Sequence, residues 1–412
     1  RGKDQNKRQL KINVQFGNLI PKLYICAMIN RDAEKNLRSL ASQFKAVAIV
    51  GPRQSGKTTL AKYVFPDKKY ISLENPDTRN FANEDPRGFL DSYNEGAIFD
   101  EIQKVPHLFS YLQQIIDETN EPGKFILTGS NNFLLQEGIT QSLAGRIAYQ
   151  LLLPFSINEI IQSDNVGEMI LKGFYPPLYD QKLDAYTWHK NYISTYVERD
   201  VRQLKSINNL ETFSRFIRLC AGRTGQLLNL SSLAIEVGVD HKTIGSWLGI
   251  LESSYIIHRL QPHYTNFNKR LVKMPKIYFH DTGVLCALLG IQNVEQLNFH
   301  PLWGNIFENF VVNELVKKKI NFNLRSNLFF WRDSKGYEID VLVENGLSLY
   351  PIEIKSGQTI SSEYFKNLNF WKSLTGNEPA TVIYNRKETQ KRSNGHEVIF
   401  WKDIYSTNQI PL

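Results

Sequence analysis

The chain has 412 residues, enough for two to four domains with cores of their own, and its 42% hydrophobic and 22% charged content is that of a soluble globular protein. No apolar run approaches the ~18 residues of a membrane span, so no membrane partner is expected. Cys26, Cys220 and Cys286 are too scattered for a disulfide framework or a metal-ligand spacing, and they point to a reducing cytoplasm. A net charge of +8 leaves DNA or RNA open as a partner, although lysine-rich surfaces also serve solubility.

Residues 1–29 carry Arg1, Lys3, Lys7, Arg8, Lys11 and Lys22 without the apolar core of a secretory signal. They read as a disordered basic extension or a start-site artefact ahead of Met28, with a nucleic-acid arm as the weaker alternative. A helix-like stretch, Asn30 to Phe44, follows. The apolar run Lys45 to Val50 then enters Gly51-Pro52-Arg53-Gln54-Ser55-Gly56-Lys57-Thr58, and Thr59-Leu60-Ala61 opens a helix. Strand, G-x-x-x-x-G-K-[ST] and helix in that order form the setting of a phosphate-binding loop. Its glycines bring backbone N–H groups close to phosphate, Lys57 reaches the β- and γ-phosphates, and Thr58 is placed to ligate Mg²⁺. Residues Gly51 through Thr59 are therefore the candidate nucleotide contacts. The bland alternative is a chance glycine turn.

Strand-like runs recur at Lys69–Leu73, Gly96–Glu101, Lys124–Ser130 and Ile147–Leu153, separated by amphipathic stretches, so a parallel sheet covered on both faces is expected. Ligands bind such sheets at the carboxyl ends of the strands. Asp100 and Glu101 end one of these runs. The first is positioned to hold Mg²⁺ and the second to activate water as a general base. Thr128-Gly129-Ser130-Asn131-Asn132 gives another strand a polar tip, and Ser130 or Asn131 could orient water at the γ-phosphate. An asparagine-rich turn is the structural alternative. Arg146, after Ser142-Leu143-Ala144-Gly145, would lie at the edge of this unit. It reads equally as a finger reaching a neighbouring subunit's nucleotide or as half of a surface salt bridge.

Together, Gly51–Thr59, Ile98-Phe99-Asp100-Glu101-Ile102-Gln103, Leu127–Ser130 and Ser142–Arg146 resemble the AAA+ superfamily ATPases of bacteria and archaea that carry a C-terminal domain of unknown function similar to PD-(D/E)xK nucleases. The resemblance extends through Gly173-Phe174-Tyr175-Pro176-Pro177 and Tyr196–Val201 and covers nearly everything from about residue 30. It implies Lys57 and Thr58 as P-loop ligands, Asp100 and Glu101 as the Walker B pair, and a first sensor near Ser130 and Asn131. In such a protein the mostly helical residues 158–212 would be a lid over the nucleotide, with Arg199 the candidate second sensor. Ion pairing with Glu198 or Asp200 is the alternative for Arg199.

Residues 213–266 resemble a winged helix-turn-helix. Leu230, Leu233, Ala234 and Val237 share one helical face, Asp240 can cap a second helix bearing Ile244, Trp247, Leu248 and Leu251, and Ser254–Leu260 reads as the wing. The outward face, Lys242, Gly245, Ser246 and Gly249, is thin for phosphate neutralisation, so an interdomain role stands beside DNA binding. His280 and Asp281 lie among aromatics and read as packing.

Residues 267–412 hold a second candidate site. Asp340 shares a strand face with Glu338, and Glu353 shares one with Lys355 on the next strand. The set resembles the PD-(D/E)xK nuclease core, with Asp340 and Glu353 binding Mg²⁺, Glu308 adding a ligand, and Lys355 steadying water or the scissile phosphate. A salt-linked hairpin is the alternative.

The expected architecture is α/β: residues 30–157 a P-loop AAA-like parallel sheet, then helical lid, winged helix and a restriction-endonuclease-like domain. The expected function is Mg-dependent ATP binding and hydrolysis coupled to action on DNA, with Lys57, Glu101, Arg146, Asn131, Asp340, Glu353 and Lys355 as catalytic candidates. A homo-oligomer using Arg146 in trans accompanies it. The competing reading is an ATP-driven switch whose nuclease-like domain only binds.

Overall fold

The computed structural model describes residues 29–130, 143, 145–160, 163–200, 209–264, 272–376, 379–393, 395–407 and 410–412. Its first sheet contains β1 (Ala46–Val50), β2 (Lys69–Ser72), β3 (Ala97–Asp100), β4 (Phe125–Gly129) and β5 (Ile147–Leu151). The strands are all parallel and lie in the order β2-β3-β4-β1-β5. Every residue of β1, β3 and β4 is buried, which is why these strands read as unbroken apolar runs rather than alternating ones. Ala46, Ala48, Val50, Phe99, Phe125 and Leu127 face one layer, which includes the helix Leu108–Glu118. Val47, Ile49, Ile98 and Ile126 face the other, against the helices Glu34–Gln43 and Lys57–Val64. In-register pairing brings the carboxyl ends of β1, β3 and β4 to one edge, so residues 51, 101 and 130 emerge together.

A helical middle follows: Val166–Lys172, Pro177–Asp180, Ala185–Tyr192, a π-helical turn Ile193–Asp200, Leu210–Ala221, Leu230–Val237 and His241–Ser253. Asn229 and Asp240 cap the last two helices, Asp240 as its position before Thr243 suggests. A two-stranded antiparallel ribbon pairs β6 (Ile257–Leu260) with β7 (Lys276–Phe279). The strand expected from Ser254 begins only at Ile257. Residues 254–256 instead close the preceding helix, with the Ile256 N–H donating to the Leu251 carbonyl at 2.9 Å and Tyr255 at a φ of 56°.

The C-terminal part opens with helices Thr282–Leu288, Val294–Phe299 and the long Trp303–Asn321. A mixed sheet follows: β8 (Leu328–Arg332), β9 (Glu338–Asn345), β10 (Ser348–Lys355), β11 (Thr381–Tyr384), β12 (Gln390–Lys391) and β13 (Glu397–Phe400). Its order is β12-β13-β11-β10-β9-β8, with β8, β9 and β10 antiparallel and β10, β11 and β13 parallel. Val341, Val343, Ile352 and Ile383 pack toward the long helix, while Ile339, Leu342, Val382 and Val398 pack toward the helix Lys366–Thr375. One buried apolar cluster draws on residues from Phe155 to Ile410 and so joins the helical middle to one face of the C-terminal sheet. Among the described residues, no helix is long and apolar enough to cross a membrane.

Candidate functional site

The loop after β1 turns through backbone conformations that L side chains rarely adopt. Gly51 has a φ of 150° and Gly56 of 91°, and a Cβ on Gly51 would lie 2.2 Å from the Leu152 carbonyl oxygen. Only glycine fits there. Lys57 folds back over the loop, its Nζ donating to the carbonyls of Gly51 at 3.0 Å and Pro52 at 2.7 Å. Burial lowers its pKa to about 8, against the pull of Glu101 and Asp100 in the other direction. Among the described residues, the buried Ser55 Oγ has no hydrogen-bond partner. Arg53 lies 5.6 Å over the Tyr196 ring, and the Tyr192 hydroxyl donates to its carbonyl at 3.4 Å, so the helical middle packs on the loop. Gln54 has a φ of 62°, and Thr59 is exposed on the first turn of the helix.

Asp100 gathers hydroxyls. Thr58 Oγ1 donates to its Oδ1 at 2.8 Å, Tyr70 donates to Oδ2 at 2.8 Å, and Thr128 also donates to Oδ1. Glu101 leaves the strand in the left-handed region, with a φ of 56°, a conformation that costs a non-glycine residue and is concentrated at functional sites. Its N–H donates to Thr128 Oγ1 at 3.3 Å, and its carboxylate accepts from Ser130 Oγ at 3.0 Å and from Gln103. The structure thus brings Lys57, Thr58, Asp100, Glu101 and Ser130 to one edge of the sheet.

Three other candidates stand differently. Arg146 forms a two-pronged ion pair with Asp117, Nη2 donating to Oδ2 at 3.0 Å, at the start of β5. Asn131 lies outside the described residues, as does the side chain of Arg199, whose backbone belongs to the π-helical turn.

The second cluster forms where β9, β10, β7 and the long helix meet. Lys355 Nζ pairs with Glu353 and lies 3.5 Å from Asp340 Oδ2, which also accepts the Ile354 N–H at 2.8 Å. Glu308 accepts from Lys276 at 2.8 Å and from the Tyr278 hydroxyl at 2.6 Å, and Lys276 also pairs with Glu338. Burial would lower the Lys276 ammonium, but Glu308, Tyr278, Glu338 and Asp340 outweigh it and hold it well above the usual lysine range. Burial and the neighbouring Asp340 push Glu353 well up. For Asp340, Lys355 and Lys276 outweigh burial and bring it down. The same surroundings therefore move the two carboxyls in opposite directions, Asp340 down and Glu353 up.

Uncharacterized proteins of Mycobacterium bovis and Mycobacterium tuberculosis are each 32% identical to this chain over 343 residues, which is 82% of this chain and 76% of theirs. The chain belongs to their family. Residues 43–161 match the AAA domain family, and residues 163–295 and 303–404 match two families described as domains of unknown function, DUF8612 and DUF4143. A Walker-type ATPase of Pyrococcus abyssi is similar in structure at a TM-score of 0.46 and 15% identity, over 66% of this chain and 99% of its own.

In the AAA domain the donor set suits a magnesium nucleotide: a threonine hydroxyl beside a carboxylate, a lysine on the loop, and a buried serine hydroxyl with no partner among the described residues. The C-terminal cluster suits a metal ion poorly. Lys276 and Lys355 already pair with its carboxylates, and among the described residues no three His, Cys, Asp or Glu side chains are grouped to hold one. Sequence reasoning missed Tyr70, Thr128 and Lys276. Tyr70 and Lys276 sit on short strands with no local pattern to mark them, and only strand pairing and packing deliver them to the acids.

Proposed function

We propose that this protein binds ATP with Mg²⁺ between the Gly51–Thr59 loop and the ends of β3 and β4, and hydrolyses it. The observation that carries the reading is the contact of Thr58 with Asp100 beside Glu101, itself tethered by Ser130. Loop N–H groups and the N-terminus of the helix Lys57–Val64 would receive the phosphates. Lys57 would exchange its two loop carbonyls for phosphate oxygens. Thr58 and Asp100 would hold the magnesium ion, which supplies charge neutralisation at the β- and γ-phosphates. Glu101 would take a proton from the water that attacks the γ-phosphorus as the β–γ bridging bond breaks, releasing ADP and phosphate. Ser130 orients that carboxylate, and Asn131 and Arg199 remain the sensor candidates carried by the family resemblance.

Two outputs compete for the rest of the chain. One is action on DNA through a winged helix, residues 213–266, and a nuclease-like domain, residues 267–412, with Glu308, Asp340 and Glu353 as metal ligands. The other is a nucleotide-driven switch, oligomeric through Arg146, in which the C-terminal module binds without cutting. The pairing of Lys276 and Lys355 with those acids favours the second. The Asp117 pair ties Arg146 within its own chain, so a trans role requires that pair to open.

Titration calorimetry with ATP and a phosphate-release assay test the central reading. Wild type should bind and turn over ATP, Lys57→Ala should lose binding, and Glu101→Gln should bind but turn over at least about 100-fold more slowly. A wild-type protein that ignores ATP at millimolar concentration would sink the proposal.

A further inference from the structure

Arg31 precedes the residues matched by the AAA family and belongs to no motif, yet it is buried against the phosphate-binding loop. All three arms of its guanidinium are engaged. Nη1 donates to the Ser55 carbonyl at 2.7 Å, Nη2 to the Leu153 carbonyl at 2.7 Å, and Nε to Glu159 Oε1 at 2.9 Å. The group also stacks 4.8 Å from the centroid of the Phe155 ring. Glu159 is fixed in turn: Oε1 accepts the Asp32 N–H at 2.7 Å and Oε2 the Ser156 N–H at 2.8 Å. The fork and its carboxylate form a rigid bracket between the loop and the segment that follows β5.

The Ser55 carbonyl is the atom that matters. In a planar trans peptide the C=O and the next residue's N–H point in opposite directions. Anchoring the Ser55 oxygen outward on Arg31 therefore aims the Gly56 N–H inward, toward the concave side of the loop. Gly56 has a φ of 91°, so no side chain of its own locks that peptide. A Cβ there would lie 3.3 Å from Arg31 Nη1, so glycine at this position leaves the guanidinium its place against the loop.

We infer that Arg31 is a positioning residue for phosphate: through the Ser55 carbonyl it sets the Ser55–Gly56 peptide so that its N–H faces the bound anion. The inference rests on the nucleotide reading above and concerns ATP and ADP alike, since it acts on the loop rather than on the attacking water. Lysine cannot replace the fork, because a single ammonium cannot span two carbonyls and a carboxylate in these directions.

The test measures Kd for ATP and ADP by calorimetry, steady-state KM and kcat, and thermal unfolding for wild type, Lys57→Ala, Arg31→Lys, Arg31→Met and Glu159→Gln. Arg31→Lys and Arg31→Met should weaken both nucleotides and raise KM by about 10-fold or more, the scale of a lost charge-assisted bond, while kcat changes little. Glu159→Gln loosens the bracket but leaves both carbonyl bonds, so it should weaken both nucleotides by less than Arg31→Lys does, again with kcat little changed. A folded Arg31→Lys that is less heat-stable but keeps wild-type Kd and KM would reduce Arg31 to a structural residue and overturn the inference. Should Arg31→Met fail to fold, Arg31→Lys decides. If wild type and Lys57→Ala alike show no ATP binding, the nucleotide reading itself fails and takes this inference with it. That result differs from one in which only the Arg31 variants match wild type.

Discussion

Lys57 has given up water for two loop carbonyls, and burial outweighs the nearby carboxylates in bringing its pKa to about 8. At neutral pH it remains mostly charged; above pH 8 the free protein loses that charge. A bound triphosphate would favour the ammonium, so the proton is held more tightly in the complex than in the free protein. Linkage then fixes the sign: ATP affinity is constant below the free-state pKa and falls as pH rises through it, until the pKa in the complex is passed. Calorimetry from pH 6.5 to 9.5 should give a Kd that is flat up to about 8 and then weakens by at most about tenfold per pH unit. An affinity that holds steady across that interval would mean that Lys57 does not meet the phosphates. At this scale the sequence was legible where function is written contiguously. Gly51, Gly56, Lys57 and Thr58 follow one another on one turn, and Asp100 and Glu101 end one strand. Arg31 was not legible, because its work depends on a carbonyl 24 residues away that only the folded chain brings to it.

Strand pairing accounts for the C-terminal cluster. Alternation along β9 and β10 foretold that Asp340, Glu353 and Lys355 would meet, and the antiparallel register delivers them. Alternation is silent about a third element, and here β7 inserts Lys276 between Glu308 on the long helix and Glu338 on β9. Removing that ammonium leaves Glu308 without its cation and Glu338 with Arg332, both acids partly exposed. Breaking a fully buried pair by deleting one partner costs about 3–5 kcal/mol, so Lys276→Met should lower stability to urea by less than that. The variant also separates the two outputs proposed for this module. With the resident cation gone, Mn²⁺ added without nucleotide should restore heat stability to Lys276→Met while leaving wild type unchanged. Stabilisation of wild type by Mn²⁺, abolished by Asp340→Asn, would instead revive a metal-dependent role for the cluster.

The whole molecule is tied together by the long helix Trp303–Asn321, whose opposite ends of function lie on different neighbours. Glu308 faces the acid cluster, Asn309 and Asn313 donate to the Phe279 carbonyl of β7, and two turns on Glu314 and Lys317 grip the segment after β5. Glu314 accepts the Ile157 N–H at 2.8 Å; Lys317 donates to the Phe155 carbonyl at 2.7 Å and to Glu314 at 2.8 Å, beneath the Phe174 ring. That segment also carries Glu159, which brackets Arg31 and the phosphate-binding loop. The AAA sheet has its own core on both faces, but the helical middle and the C-terminal sheet share theirs, so the chain is coupled by packing rather than strung on linkers. Sequence periodicity located the apolar faces and not this sharing, because a helix face does not name the element that will cover it. The Glu314–Lys317 pair is where the coupling is most exposed to test. Glu314→Ala strands a buried ammonium and should cost about 3–5 kcal/mol in urea unfolding. Glu314→Gln with Lys317→Met removes both charges, keeps an acceptor for the Ile157 N–H, and should recover most of that loss, since buried pairs replaced by uncharged groups of similar size are often neutral in stability. Equal losses in the single and double variants would mean that the pair contributes through its charges and not merely by avoiding an orphaned one.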